Sequence, residues 1–277
     1  MHLSADQRDY LFDLQGYLVI DDALGAAQLT DINRWTDRQP AVPFGTWLGH
    51  VETHTYSGSE GVNYQNIIEG GTVFEELIDA PAWITDVRRW IDNDYNRTTI
   101  NEAFLNVRGS GGFIGIHSGG HVPALPMAVR HHAGRWMVGQ INVLMALTDI
   151  GPGDGPTVVI PASHKSHLIH PELASATFST YRTDRSAQGA LGSIEVCLRA
   201  GQALLFCDGL CHGSAARVNP GERRVLIYRY SPHSLQTRYN YLPSPELLER
   251  LTPERRAMVQ AVAPRMAPGR SVCGALA

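Results

Sequence analysis

The feature that most constrains the fold of this chain is a series of short apolar segments between residues 100 and 231, separated by turns rich in glycine and proline. The clearest turns are Gly151-Pro152-Gly153-Asp154-Gly155-Pro156 and Asn219-Pro220-Gly221. Segments of this length with such turns between them are typical of sandwiches and jelly-roll barrels. We therefore predict a mainly β protein with flanking helices, whose core is a double-stranded β-helix (a cupin-like jelly roll). The predicted strands are residues 101–107, 139–147, 157–160, 192–198, 203–207 and 223–231.

Helical patterns flank this β-rich region on both sides. Residues 4–14 predict a helix that begins at a Ser4 cap, and residues 244–250 and 253–262 predict two more capped helices. A chain of 277 residues with 43% apolar composition can bury one large core, so we predict a single domain over 1–277. Its parts are a helical N-terminal region with the first strand or strands (1–99), the jelly-roll core with the functional site (100–231), and C-terminal helices with a tail (232–277).

The composition favours a small-molecule partner. The formal net charge is −4, and no Lys- and Arg-rich block interleaved with aromatic residues indicates nucleic-acid binding. No apolar run reaches the roughly 18 residues of a membrane span, and the polar N-terminus lacks a secretory pattern. The four cysteines lack the spacing of a structural zinc site, which suits thiols in a reducing compartment. We predict a cytoplasmic protein without nucleic-acid or membrane partners, and the sequence leaves its oligomeric state open.

Three residues carry the candidate chemistry: His117, His212 and Arg223. A mononuclear iron site on a jelly roll takes a His from one strand end, a carboxylate two residues later and a second His from a distant strand. The two-residue step places both early ligands on the same side of the chain. His117 follows a glycine-rich approach and His212 follows an apolar strand, but position 119 is glycine. The pattern therefore supplies two of the three expected ligands.

In this region the chain resembles the phytanoyl-CoA dioxygenase family of Fe(II)/2-oxoglutarate enzymes. The resemblance covers roughly residues 101–231, and it rests on several motifs that occur together in one order and spacing. These are His117 in the His-x-Asp position, Ala146-Leu147-Thr148-Asp149 with Gly151-Pro152-Gly153-Asp154-Gly155 after it, Ile160-Pro161-Ala162-Ser163-His164, Cys211-His212-Gly213-Ser214, and Arg223.

The resemblance implies that neutral imidazoles of His117 and His212 bind Fe(II), and that Arg223 pairs with the distal carboxylate of 2-oxoglutarate, with O2 as the other cosubstrate. An arginine suits this role because its planar guanidinium can bind a carboxylate through two parallel hydrogen bonds. Further candidates for cosubstrate contacts are Ser214, Asn106 and Gln140.

Gly119 stands where the family has Asp or Glu. Halogenases that use Fe(II) and 2-oxoglutarate share the fold and carry Gly or Ala here, and chloride takes the place of the carboxylate. The resemblance then implies a halogenase (a chlorinase) that converts 2-oxoglutarate to succinate and CO2. It would transfer chlorine, or bromine, to an unactivated carbon of a small molecule. Without a Cβ, Gly119 leaves room for an anion. Ser118, Gly119 and Gly120 are predicted to donate hydrogen bonds to that anion as a nest.

Three alternatives stay open at this stage. The enzyme is a hydroxylase or other dioxygenase in which water fills the third position, or a carboxylate from Glu102 or Asp208 completes the site. The third alternative is a non-catalytic jelly-roll binding domain that has lost its iron. The joint presence of His117, His212 and Arg223 argues against this last case, because a domain without iron has no use for a cosubstrate arginine.

The loops provide weaker candidates for substrate contacts. Arg130, His132 and Arg135 form a basic cluster that favours an anionic small molecule, such as an amino acid, a nucleotide or a natural-product intermediate. Residues 45–71 are predicted to form a lid, in which His54 and Tyr64 contact the substrate. The sequence does not define whether that substrate is free or tethered to a carrier.

Overall fold

The chain folds into two antiparallel sheets that face one another, with helices outside them. The computed structural model describes residues 3–119, 128–173, 184–235 and 241–260. The helices are α1 (Ala5–Gln15), α2 (Ala26–Asp37), α3 (Thr72–Glu75), α4 (Ile84–Ile91), α5 (Pro245–Arg250) and α6 (Pro253–Val259). The strands are β1 (Tyr17–Ile20), β2 (Trp47–Leu48), β3 (Val51–His54), β4 (Val62–Gln65), β5 (Thr98–Arg108), β6 (Ile114–His117), β7 (Val129–His132), β8 (Arg135–Val138), β9 (Ile141–Ala146), β10 (Thr157–Val159), β11 (Ile194–Val196), β12 (Ala203–Cys207), β13 (His212–Ser214) and β14 (Arg223–Pro232). Short 3-10 helices span Ile67–Gly70, Ser163–Lys165 and Pro171–Leu173.

The larger sheet has eight strands in the order β1-β12-β9-β14-β5-β4-β3-β2, and the smaller has four in the order β11-β10-β13-β6. Side chains that bridge the gap place the sheets face to face. Arg108 on β5 donates a hydrogen bond to Ser214 on β13, and the ring of Phe206 on β12 packs on His212. Two facing antiparallel sheets with these crossovers form a jelly roll, which confirms the predicted fold class.

Alternation along β14 gives the large sheet an inner and an outer face. Tyr228 and Tyr230 point outward, where the Tyr228 hydroxyl donates to the Phe74 carbonyl under the helices. Arg224 also points outward, and it donates to Asp37 of α2 at 2.6 Å. The inner face, which looks toward the small sheet, carries the alternate residues Arg223, Val225, Ile227 and Arg229.

Strands occupy all six of the positions predicted for them, and α1 begins at Ser4 with a capping box. The departure lies in residues 45–71, which form β2, β3 and β4 at one edge of the large sheet and not the predicted lid. These strands are short and rich in polar residues, so their strand character comes from sheet pairing, β4 with β5, β3 with β4 and β2 with β3, and not from local propensity. Within the described ranges, no helix combines the length and the apolar character needed to cross a membrane.

Gly16 joins α1 to β1 at a point where no side chain fits. Its φ is +84°, and a Cβ there would lie 2.5 Å from Nδ1 of His164 and 2.8 Å from Leu210. We expect Gly16→Ala to lower the free energy of unfolding by about 2–4 kcal/mol, because left-handed strain and overpacking add. Gly58 is the matched control, since its φ is +79° but nothing lies within 4 Å. Urea unfolding should give a loss of only about 1 kcal/mol for Gly58→Ala. Equal losses for the two variants would contradict the packing argument.

Candidate active site

His117 ends β6 and His212 begins β13, and the two residues lie directly opposite one another in antiparallel register. Their ring centroids are 4.0 Å apart, with an angle of 53° between the ring planes. His212 is buried, and His117 is partly exposed. Two strands that are distant in sequence therefore bring two imidazoles close enough to bind one metal ion.

Each imidazole is oriented by its own backbone. Nδ1 of His117 lies 3.0 Å from the Gly115 carbonyl, and Nδ1 of His212 lies 2.7 Å from the Leu210 carbonyl. A carbonyl can only accept, so each Nδ1 carries the proton and Nε2 carries the lone pair that binds a metal. Carbonyl partners of this kind fix the tautomer and the ring orientation of metal-binding histidines. The two rings are thus preset in the form that coordinates a metal.

The segment that follows His117 is paired with the loop that leads into β13. The amide of Gly119 donates to the Asp208 carbonyl at 2.9 Å, and the Ser118 hydroxyl donates to the Gly209 carbonyl at 2.9 Å. The Gly119 amide and the Ser118 hydroxyl therefore join two chain segments, and their predicted donation to an anion is not supported, whereas donation from the Ser118 amide stays a prediction. Gly120, the third member of the predicted nest, lies outside the described residues.

The structure also bears on whether a carboxylate completes the site. Every Asp and Glu of the chain falls within the described ranges. Among those residues, no three His, Cys, Asp or Glu side chains form a group that could hold a metal ion. Glu102 is paired with Arg229, and Asp208 accepts a hydrogen bond from Asn142 at 3.0 Å. The alternative in which Glu102 or Asp208 completes the iron site is therefore not supported.

Arg223 lies at the start of β14, on the inner face, and is only 2% exposed. One of its terminal nitrogens, Nη2, donates to the Thr157 hydroxyl at 3.2 Å, whereas its buried Nε has no hydrogen-bond partner among the described residues. Burial, followed by the neighbouring charges of Arg108 and Arg217, lowers the pKa of Arg223 well below its usual range. A buried guanidinium beside two other cations is stabilised by an incoming anion.

Sequence reasoning missed Arg108, which is fully buried and lies opposite Arg223 in the register of β5 and β14. It donates from Nη1 to the Ser214 hydroxyl at 2.5 Å, and Ser214 also accepts from the amide of Ile114. The signal was present in the sequence, because Arg108 is two residues beyond Asn106 and strand alternation places both on one face. Arg223, Arg108 and Ser214 thus place two buried guanidinium groups and a hydroxyl on neighbouring strands, a set of donors that suits a carboxylate.

Asn106 and Gln140, which are both predicted to contact the cosubstrate, lie in different parts of the large sheet. Asn106 occupies the inner position next to Arg108 on β5, and its side chain donates to Asn63 at 2.9 Å. Gln140 precedes β9 at the end where Ile141 pairs with Tyr230, whereas Arg223 lies beyond the other end of that pairing. The length of a strand therefore separates Gln140 from Arg223, and the predicted contact of Gln140 with the cosubstrate stays a prediction.

The predicted basic substrate cluster lies on the outside of the molecule. Arg130, His132 and Arg135 belong to the β7–β8 hairpin, where all three are exposed, and Arg135 pairs with Asp94. The hairpin packs through Trp136 against the aromatic rings of α1 and α4, on the helical side of the large sheet. This packing places the hairpin on the helical side of the large sheet, away from the side that faces the histidines of the small sheet, so its charges give no reason to favour an anionic substrate.

The two aromatic candidates of the predicted lid lie on opposite faces of the sheet. Tyr64 is buried on the outer face, where its ring packs edge-on against Trp35 of α2. The predicted substrate contact of Tyr64 is therefore wrong, and strand alternation is the reason. His54 pairs with Asn63 in the register of β3 and β4, and its ring lies 4.9 Å from that of Tyr56. Of the two, only His54 is close to inner-face residues.

A sequence model of the phytanoyl-CoA dioxygenase (PhyH) family matches residues 12–225, a range that includes both histidines and Arg223. The chain belongs to this family. The assignment confirms the resemblance found in the motifs and places the chain among PhyH-like Fe(II)/2-oxoglutarate oxygenases.

Three relatives of this PhyH-family chain have low sequence identity to it. Dioxygenase cdmD of Talaromyces verruculosus is 29% identical over 120 residues, which are 43% of this chain, and the chain spans 35% of that protein's length. HygX from Streptomyces hygroscopicus, in a crystal structure with nickel and 2-oxoglutarate bound, has a TM-score of 0.68 at 21% identity, covering 89% of this chain and 94% of HygX. SnoN, a non-heme α-ketoglutarate-dependent epimerase from nogalamycin biosynthesis, has a TM-score of 0.55 at 15% identity, with 82% of both chains covered. At such identities the structural likeness establishes the fold.

Proposed function

We propose that this PhyH-family protein is an Fe(II)/2-oxoglutarate-dependent oxidative enzyme for a small molecule. We further propose that a halide, chloride or bromide, binds iron at the position that a protein carboxylate fills in other family members, so that the enzyme is a halogenase. The observation that carries this proposal is the pair of opposed histidines, His117 and His212, which no carboxylate of the chain joins.

The residues present fit the iron and the cosubstrate. The imidazoles of His117 and His212 would hold Fe(II) through Nε2, since both Nδ1 atoms donate to carbonyls. Arg223, with Arg108 and Ser214 beside it, would hold the distal carboxylate of 2-oxoglutarate, and the buried Nε of Arg223 would gain a partner. When bound, Fe(II) would activate O2, and the reduction of O2 coupled to oxidation of 2-oxoglutarate to succinate and CO2 would supply the oxidising power that removes hydrogen from an unactivated carbon. The chain's own residues bind, orient and shield these groups from water.

The small-molecule substrate is supported by what related structures contain. HygX has been crystallised with nickel, 2-oxoglutarate and hygromycin B, and SnoN with Fe3+, α-ketoglutarate and nogalamycin RO. Both proteins share the fold of this chain. Natural-product chemistry is accordingly the setting that we propose for the enzyme.

Halogenation is proposed because an iron ion held by two neutral imidazoles keeps one more positive charge than one held by two imidazoles and a carboxylate. A halide supplies that missing negative charge and fills the ligand position. Because Ser118 and Gly119 donate to protein carbonyls, the metal itself would provide the main attraction for the halide.

Hydroxylation is the second candidate. Two observations favour it: the chain belongs to a dioxygenase family, and its relative cdmD is a dioxygenase. In this case water would occupy the third position and the carbon radical would receive oxygen. The same two histidines and Arg223 serve either reaction, so the halide response decides between them.

Anaerobic spectroscopy with Fe(II) and 2-oxoglutarate tests the proposal directly. We expect a visible metal-to-ligand charge-transfer band that shifts when chloride replaces an inert anion at constant ionic strength. His212→Ala should abolish the band, whereas His167→Ala, on an exposed loop, should retain it. A band whose position does not change with chloride supports the hydroxylase, and the absence of any band supports a binding domain without iron.

A further inference from the structure

A second polar cluster lies on the inner face of the large sheet, at the end away from Arg223. We call it the Glu102–Arg229 cluster, and its members are Tyr56, Gln65, Glu102 and Arg229. Glu102 and Arg229 are direct neighbours in the register of β5 and β14, and their side chains form a buried ion pair. Nothing in the proposed iron and 2-oxoglutarate chemistry uses these four residues.

The cluster is placed where a substrate would meet the iron site. Arg229 lies opposite Asn142 on β9, and Asn142 lies opposite Phe206 on β12. The ring of Phe206 packs on His212 with 4.7 Å between centroids. One row of side chains across the sheet therefore leads from the cluster to a candidate metal ligand.

The carboxylate of Glu102 is fully engaged within the cluster. One oxygen, Oε2, binds Arg229, and the other, Oε1, accepts from the Tyr56 hydroxyl and from Nε2 of Gln65 at 2.9 Å. Nε2 of Gln65 also donates to the Tyr56 oxygen at 2.7 Å. The charges of Glu102 and Arg229 cancel, so the cluster as a whole is neutral.

Two buried atoms of the cluster have no hydrogen-bond partner among the described residues: Nε of Arg229, a donor, and Oε1 of Gln65, an acceptor. Arg229 is 9% exposed and Gln65 is fully buried. A buried polar atom without a partner is costly, so a pair of them in one cluster indicates a site shaped for a ligand. The ring of Tyr56 is 37% exposed, which puts the cluster directly beneath a residue that reaches solvent.

The chemistry of these two atoms defines the ligand. A hydroxyl group accepts from one partner and donates to another, and it adds no charge. A carboxylate or phosphate would have to compete with Glu102 for Arg229 and would leave a net negative charge buried. An ammonium would lack a matching carboxylate, because Glu102 is already paired with Arg229. A neutral, hydroxylated ligand is the only one of these three classes that satisfies both atoms without breaking the ion pair.

We infer that the Glu102–Arg229 cluster binds a neutral, hydroxyl-bearing part of the substrate, with an alcohol oxygen accepting from Nε of Arg229 and an alcohol proton donated to Oε1 of Gln65. The identification of this ligand with the substrate rests on the proposed function. Gln65 and Arg229 are then specificity-determining residues that position a hydroxylated substrate next to the iron site.

Binding to the full-length, metal-free protein tests this inference, with three matched probes: methyl glucoside, its uronate and its amino-sugar counterpart. Ligand-observed NMR titration should detect the neutral glucoside and give weaker or no binding for the two charged probes. Arg229→Lys keeps the charge opposite Glu102 but removes Nε, and it should weaken glucoside binding by about tenfold. Arg255→Lys is the matched control, since Arg255 on α6 pairs with Asp79 outside the cluster. This variant should bind the probe as the parent protein does.

Gln65→Met provides a second test in case Arg229→Lys fails to fold, because it removes Oε1 and leaves the ion pair in place. It should also weaken glucoside binding by about tenfold. Tighter binding of the uronate than the glucoside, absence of glucoside binding, or unchanged affinity in both variants overturns the inference. A purely structural role predicts lower thermal stability in Arg229→Lys with unchanged glucoside affinity. The charge-transfer band of the parent protein is recorded separately, so a failure of the iron chemistry is distinguished from a failure of this site.

Discussion

Replacing Arg223 with Gln is expected to weaken binding of 2-oxoglutarate to the anaerobic Fe(II) protein by about 100-fold. The guanidinium is buried, and its Nε has no other partner within the described ranges. Removing one member of a buried charge pair costs several kcal/mol, and each 1.4 kcal/mol is a factor of about ten. Titration of the charge-transfer band with 2-oxoglutarate measures the change.

The same substitution should leave the free energy of unfolding of the cosubstrate-free protein unchanged or raise it. Burial, and after it the neighbouring cations Arg108 and Arg217, lower the pKa of the Arg223 guanidinium, so without an anion its charge destabilises the fold. A structural arginine would behave in the opposite way. Urea unfolding of the two proteins without metal or 2-oxoglutarate decides the sign.

Arg224→Gln is the matched control for this pair of measurements. Arg224 is the next residue on β14 but points outward to Asp37 and Glu222. Its loss should not change 2-oxoglutarate affinity. If Arg223→Gln and Arg224→Gln weakened the cosubstrate equally, the assignment of Arg223 to the carboxylate would fail.

Gly119→Asp is expected to remove the response of the iron site to chloride. A carboxylate two residues after His117 is tethered next to the metal, so its effective concentration exceeds that of dissolved halide. We expect the apparent affinity for chloride to fall by about 100-fold, and chlorinated product to give way to hydroxylated product. Chloride titration of the charge-transfer band and mass analysis of products made with chloride or bromide measure both effects.

Gly119→Ala separates the carboxylate from the effect of adding any side chain. The alanine variant lacks a ligand atom and should retain the chloride response, whereas the aspartate variant should lose it. The Gly119 amide donates to the Asp208 carbonyl, and both substitutions keep that hydrogen bond. A chloride response that survives unchanged in Gly119→Asp would rule out the halide position proposed for this site.

Much of the candidate site follows from local pattern. The strand before His212 is a continuous apolar run, the strand that begins at Arg223 contains the run Val225-Leu226-Ile227-Tyr228, and turn residues lie between the two strands. The order and spacing of motifs singled out both histidines and Arg223 as candidates, and the family match covers the range in which all three lie. By contrast, β2, β3 and β4 are short and polar, and they become strands only by adding in turn to the edge that β5 offers, which local pattern does not reveal.

Which polar side chains share one cavity could not be predicted in the same way. Alternation gives the relative directions of neighbours on a strand, but it does not say which direction is inward. Tyr64 therefore proved to be an outer core residue, and Arg108 was overlooked although it lies beside Asn106. The basic hairpin carried enough charge to suggest a binding loop, yet its packing on α1 and α4 directs it away from the histidines.

The sequence by itself determined the jelly-roll class, the two candidate histidines and the absence of a carboxylate at position 119, because these depend on residue identity and on local spacing. Only the tertiary structure decided that the Ser118 hydroxyl and the Gly119 amide donate to protein carbonyls, that Arg108 lies opposite Arg223, and that Gln65 and Arg229 each have one buried polar atom without a partner among the described residues. The physical reason is that hydrogen-bond satisfaction is a property of strands brought together from distant parts of the chain. No local pattern records which donors remain once those strands have paired.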